Sequence, residues 1–325
     1  MLFVGSSHGP EGKIAAEYGL VFRAVRSSPL TKSISCRNAA SLARLGVGVF
    51  RARRVVKEFD PDVVVGTGGY TTAAVLIAAW SYGRRIVIQE QNAVPGRTNL
   101  WLARLATKIC CGFEEAASAF PADKVVITGT PIRREFRQPP AKNAARRQLG
   151  LDESAFVIVA IGGSQGAKRL NELLLGAWPR LDDGTIQVLH QVGERNLKDF
   201  PPVESRNYLV RGYVDAPSAL ASADLVVARS GASTVAEITA LGKPSVLLPY
   251  PHAYTDEQRR NASCLSKMGA AVVLEETGLS QEQFTQAILD LRGAPSKLAS
   301  MGEAARAIGR PDAARHVAEV VCSVA

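Results

Sequence analysis

The chain has 325 residues, 39 Lys and Arg against 30 Asp and Glu, and a hydrophobic fraction of 46%. That composition excludes a disordered chain, and the length predicts two domains, each large enough to bury a core. The net charge of +9 asks for an anionic partner or surface, and it is uneven: residues 1–138 carry 19 basic and 10 acidic side chains, residues 139–325 carry 20 of each.

In chain order, Leu2-Phe3-Val4 reads as a short strand running into a turn, with no secretory-signal pattern. Val63-Val64-Val65 is a second strand, followed by the Gly-rich turn Gly66-Thr67-Gly68-Gly69-Tyr70-Thr71-Thr72 and a helix. The apolar run Ala73–Trp80 is far shorter than the roughly 20 residues of a membrane-spanning helix. Ile86-Val87-Ile88 then leads into Gln89-Glu90-Gln91-Asn92, four polar residues at the carboxyl end of a strand that reads as buried, a pattern more suited to ligand contact than to packing. Val125-Val126-Ile127 precedes Thr128-Gly129-Thr130-Pro131-Ile132-Arg133, where Arg133 either reaches a diphosphate or belongs to a basic surface with Arg134 and Arg137. Arg137-Gln138-Pro139-Pro140 is the predicted linker, because two prolines stop a helix where the charge balance changes.

The second part continues the same rhythm. Val157–Ile161 is followed by Gly162-Gly163-Ser164-Gln165-Gly166-Ala167 and a helix start, so the turn either cradles an anion with free backbone N–H groups or is an ordinary strand-to-helix turn. Gln187–His190 is a further strand. Leu225–Ala228 leads into Arg229-Ser230-Gly231-Ala232-Ser233-Thr234-Val235-Ala236-Glu237, a second instance of strand, small residues and helix start, in which Glu237 either accepts from a ribose diol or is a solvated helix carboxylate. Ser245–Pro249 precedes Asp256–Ala262, where the amides of Gln258 and Asn261 suit sugar hydroxyls. Short β-branched strands alternating with helices predict an α/β fold of two doubly wound domains facing a cleft, with ligands outside the carboxyl ends of the strands.

Chemistry of other kinds finds little support. The five cysteines lack paired spacing and read as reduced cytosolic thiols, and the four histidines form no metal-ligand pattern. His190 and His252 follow strands without an identifiable partner and read as structural or rim histidines. Neither a nucleophile elbow nor a GxxxxGK[ST] loop is present. A nucleic-acid binder is disfavoured, since aromatics make up only 6% and do not interleave with the basic residues.

Taken together, Gly66–Tyr70, Gln89–Asn92, Thr128–Arg133, Gly162–Ala167 and Arg229–Glu237 resemble, in order and spacing over nearly the whole chain, the MurG family of GT-B glycosyltransferases (glycosyltransferase family 28). The resemblance implies transfer of N-acetylglucosamine from UDP-GlcNAc to undecaprenyl-diphosphate-MurNAc-pentapeptide, lipid I to lipid II, in peptidoglycan synthesis, with inversion and without a cofactor or metal. It implies an acceptor and membrane-facing domain over 1–138 that lacks its first βα unit. The UDP-GlcNAc domain would cover 139–325, its last helix packing back on the first. Donor contacts are then expected from Asn92, Arg133, Ser164, Gln165, Gly166, Val214, Arg229, Ala232, Ser233, Thr234, Val235, Ala236, Glu237, Gln258 and Asn261. Among these, Ser164 and the stretch from Ala232 onward would hold the diphosphate, Glu237 the ribose, Val214 the uracil through its backbone, and Gln258 the sugar. Thr67, Gly68, Gly69 and Tyr70 are expected at the acceptor diphosphate.

The family's first Gly-rich loop, ending in a histidine, would fall before Met1, and His8 does not replace it. Gln89 stands where the family usually has histidine, which removes any titrating role there and leaves Glu90 as candidate base. The partners implied are UDP-GlcNAc, lipid I, an anionic membrane surface at the cytoplasmic face of the bacterial plasma membrane, and other cell-wall synthesis proteins, with no nucleic acid. A glycolipid synthase using another lipid acceptor, or a truncated non-catalytic form that binds UDP-sugar and membrane, are the alternatives.

Overall fold

The computed structural model describes residues 1–6, 9, 11–25, 36–163, 165–251 and 255–325. They form two compact units, one of Met1–Gln91, Pro95–Thr128 and Arg315–Ala325, the other of Asn92–Val94 and Gly129–Ala314.

In the first unit, β1 (Leu2–Gly5) pairs in parallel with β2 (Val21–Ala24) as a separate two-stranded sheet. A four-stranded parallel sheet follows in the order β3 (Val63–Gly66), β4 (Arg85–Glu90), β5 (Lys108–Cys111), β6 (Val125–Ile127). Alternate residues of β4 serve opposite faces, as the strand period of two requires. Ile86 and Ile88 pack with Ala73, Leu76 and Ala79 of the helix Tyr70–Ser81, while Val87 and Cys110 meet Val317, Val320, Val321 and Val324 at the C-terminus. Covering both faces explains why β4 reads as an unbroken apolar run instead of an alternating one. The helix Cys36–Phe59 contributes Ala52 and Val56 against Ala74 and Ala78.

The second unit is a six-stranded parallel sheet. Its strands are β7 (Phe156–Ile161), β8 (Ile186–Gln191), β9 (Tyr208–Arg211), β10 (Leu225–Ala228), β11 (Ser245–Leu247) and β12 (Ala271–Val273), in the order β12-β11-β10-β7-β8-β9. Ile158, Ala160, Val188, Leu225 and Val227 form one side of its core, packed with Leu170, Leu174, Phe284 and Ile288 from the helices Lys168–Leu181 and Gln281–Arg292. The order reverses between β7 and β10, which are in register at Ile161 and Ala228, and a crevice for ligand opens at such a switch point.

The two units divide at Thr128–Gly129, ahead of the predicted Gln138–Pro139 linker. Phe136 is buried, Arg137 pairs with Asp312 at 2.8 Å, and Gly129 has φ 86° with room for no Cβ beside Arg310 and Ala313, so this stretch belongs to the second unit's packing. On this division the first unit has 17 basic and 10 acidic residues and the second 22 and 20, which still leaves +7 of the +9 on the first. Among the described residues no helix is long and apolar enough to cross a membrane, and no cluster of three or more His, Cys, Asp or Glu could hold a metal ion.

Candidate functional site

In the second unit the site is built from the two turns that flank the switch point. After β7 the backbone enters Gly162–Ala167, in which Gly163 and Gly166 take φ of 84° and 73°. A side chain at Gly166 would stand 2.0 Å from the Val192 carbonyl, so glycine is required there by both conformation and space. Gln165 and Gly166 thus lie on the Val192–Gly193 turn, and the Asn196 amide donates to Gln165 O at 3.2 Å. Ser164 lies outside the described residues.

After β10 the helix Ala232–Ala240 begins at Gly231 with no side-chain cap and no acidic residue in its first turn. Its first intrahelical bond is Val235 N to Gly231 O, so the N–H groups of Ala232, Ser233 and Thr234 point out of the helix without backbone partners. Together with the helix dipole they favour an anion. Val235 is buried and anchors the helix, while Ser233 is exposed and Ala236 half-buried. Glu237, one and a half turns in, is mostly buried and faces the Arg133 guanidinium at 3.9 Å. Burial pushes its carboxyl up to about 7, and Arg133 opposes the rise only in part. The Arg133 guanidinium also lies 5.3 Å above the Phe136 ring, which fixes its approach.

Gln258, on the helix Glu257–Lys267, accepts from Tyr250 N at 3.0 Å through its carbonyl oxygen, which turns its NH₂ group to the other side. Val214 lies between β9 and the helix Ala216–Ser222 with its side chain buried. Its N–H and C=O join no backbone hydrogen bond among the described residues, as a backbone reader of a planar ring requires. A cleft of about 920 Å³ opens beside it, lined by Asp215, Ser218, Gln148, Arg134, Arg137 and Asp312. None of the described residues of Gly162–Ala167 or Ala232–Glu237 lines this cleft.

Two expected donor contacts have a different place. Arg229 is buried, donates to Leu248 O at 3.0 Å and Pro249 O at 3.3 Å, and pairs with Glu276 at 2.5 Å. It braces the end of β11, because a buried guanidinium must spend its donors on whatever carbonyls and carboxylates surround it. Asn261 is fully buried: its oxygen accepts from Ala93 N at 2.9 Å, and its NH₂ donates to Asn92 Oδ1 and Ser230 O, each at 3.1 Å. Both of its N–H donors and one acceptor site are used in clamping Asn92–Val94 to the second unit, so Asn92 itself sits with that unit and not with the first.

In the first unit, Gly68 and Gly69 have φ of 94° and 87° and lead into the uncapped helix Tyr70–Ser81, again an open anion-favouring start. The Gln91 amide holds Thr67 O at 3.0 Å and the Thr72 hydroxyl donates to Gly68 O at 2.5 Å. The Tyr70 side chain lies outside the description. Glu90 is 1% exposed, and one carboxylate oxygen accepts from Asn99 Nδ2 at 2.8 Å and Gly96 N at 3.0 Å. That geometry makes one oxygen of Glu90 an anchor of the Pro95–Asn99 turn. Asn99, whose amide lies 3.7 Å from where a Gly68 Cβ would stand, escaped the sequence reading because a single Asn inside a helix start carries no distinguishing signal.

The family models match on both units: the glycosyltransferase family 28 N-terminal domain over residues 2–111 and the C-terminal domain over residues 157–317. A relative from Geobacter sulfurreducens, named UDP-N-acetylglucosamine--N-acetylmuramyl-(pentapeptide) pyrophosphoryl-undecaprenol N-acetylglucosamine transferase, is 40% identical over 98% of this chain and 88% of its own. The chain belongs to glycosyltransferase family 28. A second relative of that name, from Desulforudis audaxviator, is 38% identical over 99% of this chain and 89% of its own. Among solved structures, Acinetobacter baumannii MurG aligns with a TM-score of 0.79 at 27% identity, covering 98% of this chain and 90% of that one. The calicheamicin glycosyltransferase CalG4 aligns at 0.68 and 16% identity over 99% and 90%, which shows the shared GT-B fold alone. The family 28 chain is therefore an α/β protein of GT-B class and a glycosyltransferase by descent.

Proposed function

We propose that this family 28 chain moves N-acetylglucosamine from UDP-GlcNAc to undecaprenyl-diphosphate-linked MurNAc-pentapeptide, with inversion at the anomeric carbon. The observation that carries the reading is the near-full-length identity to transferases of that name, together with two uncapped helix starts that follow Gly-rich or small-residue turns, one in each unit.

In the donor half, the turn Gln165–Gly166 with Ser164 and the N–H groups of Ala232 to Thr234 would hold the diphosphate, with Arg133 offsetting its charge. The same groups would stabilise the leaving UDP as the glycosidic bond to phosphate breaks, which is where negative charge develops. Glu237 would accept from the ribose hydroxyls, the Val214 backbone would meet the uracil, and the Gln258 NH₂ would donate to the sugar. In the acceptor half, Gly68, Gly69 and Tyr70 would meet the lipid-linked diphosphate.

Peripheral attachment to an anionic bilayer fits the same reading. Phe50 and Val47 are exposed on the helix that also carries Arg51, and Trp80 is exposed close to Arg85, so apolar and basic groups share one unit. On the same unit Arg54 pairs with Glu58 and Arg84 with Asp60 at the surface. Release of UDP from UDP-GlcNAc that depends on a lipid I analogue tests the proposal, and release only with another lipid such as diacylglycerol would replace the acceptor.

A further inference from the structure

Behind the Gly-rich turn lies a chain of buried polar groups that the reaction does not use directly. Tyr208 on β9 reaches His190 Nδ1 on β8 at 2.8 Å, and His190 Nε2 meets Asn171 Oδ1 on the helix Lys168–Leu181 at 3.0 Å. Asn171 Nδ2 in turn donates to Val192 O at 3.1 Å, all four residues being buried. Only one placement of protons satisfies the chain. Asn171 Oδ1 can only accept, so Nε2 carries the imidazole proton, Nδ1 is bare, and the Tyr208 hydroxyl donates to it. This placement also fixes the Asn171 amide, oxygen toward His190 and NH₂ toward Val192.

The Val192–Gly193 turn is the surface on which the phosphate turn rests. Gly166 fits against Val192 O, and Gly193, with φ 91°, has its absent Cβ 2.6 Å from Gln165 O. Around that contact Gln191 Nε2 donates to Gly163 O at 3.3 Å, and Asn196 Nδ2 donates to Val192 O at 2.8 Å and to Gln165 O. The carbonyls of Gly163 and Gln165 are thereby held by amide donors inside the protein, where they cannot oppose an anion.

We propose that Tyr208, His190 and Asn171 are positioning residues for the donor diphosphate, acting through Val192–Gly193 to hold the backbone at Gly163, Gln165 and Gly166 where it can accept an anion. This rests on the donor reading above. His190 touches no substrate in this role and does not titrate there, since burial pushes its imidazole down to about 3. Its contribution is therefore the same from pH 6 to 9.

The test compares UDP with uridine, which has no phosphates, by calorimetry on the whole chain. Asn171→Leu removes the donor to Val192 without adding charge, and should weaken UDP about tenfold, the loss of one buried hydrogen bond and its turn. Uridine binding should be unchanged. Tyr208→Phe keeps the packing against Trp178 and removes only the hydroxyl that donates to His190 Nδ1, with a UDP loss of about threefold. Equal losses for UDP and uridine, or none for UDP in either variant, overturn the proposal. Amide exchange in the ligand-free chain gives a second readout, with faster exchange at Gly166 and Gly193 in Tyr208→Phe expected and unchanged exchange contradicting it. Should the unaltered chain bind no UDP, the donor reading falls, while the exchange result still decides whether the relay orders the turn.

Discussion

Replacing Glu237 by Gln separates what a buried carboxylate costs the fold from what it gives the ligand. Its carboxyl rises from an ordinary 4.5 to about 7 because burial disfavours the charge more than Arg133, at 3.9 Å, restores it. A folded value above the unfolded one means that the favourable protonated state is fully present below about pH 4.5 and is lost as pH climbs through 7. A rise of about 2.5 pH units corresponds to roughly 3 kcal/mol of stability surrendered over that window. Gln, of the same shape and uncharged, surrenders none of it. The gap in unfolding free energy between Glu237→Gln and the unaltered chain should therefore widen by about 3 kcal/mol from pH 4.5 to 8, on the order of 5–10 °C in Tm for a unit of this size. Ligand should act in the opposite sense. Ribose hydroxyls donate to the ionised form, so the affinity for UDP-GlcNAc, whose diphosphate diester does not titrate in this range, should rise from pH 6 to 8 and binding at pH 7 should release close to half a proton, measurable by calorimetry in buffers of different ionisation enthalpy. In Glu237→Gln both effects disappear and affinity is lower at pH 8. A stability gap that is constant with pH, or a UDP-GlcNAc affinity whose pH dependence survives the substitution, would refute the assignment.

Other perturbations follow from the same packing. Arg229→Leu should cost about 3–5 kcal/mol by chemical denaturation, because Glu276 is left buried without its cation, whereas a loss confined to UDP affinity would return Arg229 to the ligand. Gly166→Ala should abolish measurable UDP binding, since the new methyl would meet Val192 O at 2.0 Å in a left-handed backbone; retained affinity would place the diphosphate elsewhere. Phe50→Ser combined with Arg51→Glu should reduce sedimentation with anionic vesicles at least tenfold and weaken its salt dependence, each exposed basic residue near the surface contributing about 1 kcal/mol. Vesicle binding that persists in the double variant would move the membrane contact off that helix.

The strands were legible where burial on both faces leaves a run of β-branched residues, as at Ile86–Ile88 and Leu225–Ala228, and the turns after β7, β10 and β3 were legible because glycine clusters there have few other uses. Lys108–Cys111 and Tyr208–Arg211 have one β-branched residue each, so no such run marks them. At the site the sequence exposed side-chain chemistry but not direction. Arg229 and Asn261 have the donors a nucleotide sugar wants, yet their partners, Leu248, Glu276, Ala93 and Asn92, come from distant segments that only the folded chain brings alongside. Glu90 is alike: at the carboxyl end of a strand it reads as a ligand contact, and the Gly96 amide that donates to it lies on a turn with no sequence signature. His190 was read as lacking a partner because Tyr208 and Asn171 are on neighbouring elements of the sheet layer and not near it in sequence.

The most direct measurement is transfer itself, with UDP-GlcNAc, a lipid I analogue in anionic vesicles and mass analysis of the lipid product. The expected result is UDP released in step with acceptor, and a product heavier by one N-acetylhexosamine in β linkage to the muramoyl sugar. UDP release at the same rate without acceptor, or sugar found only on a different lipid, would contradict it.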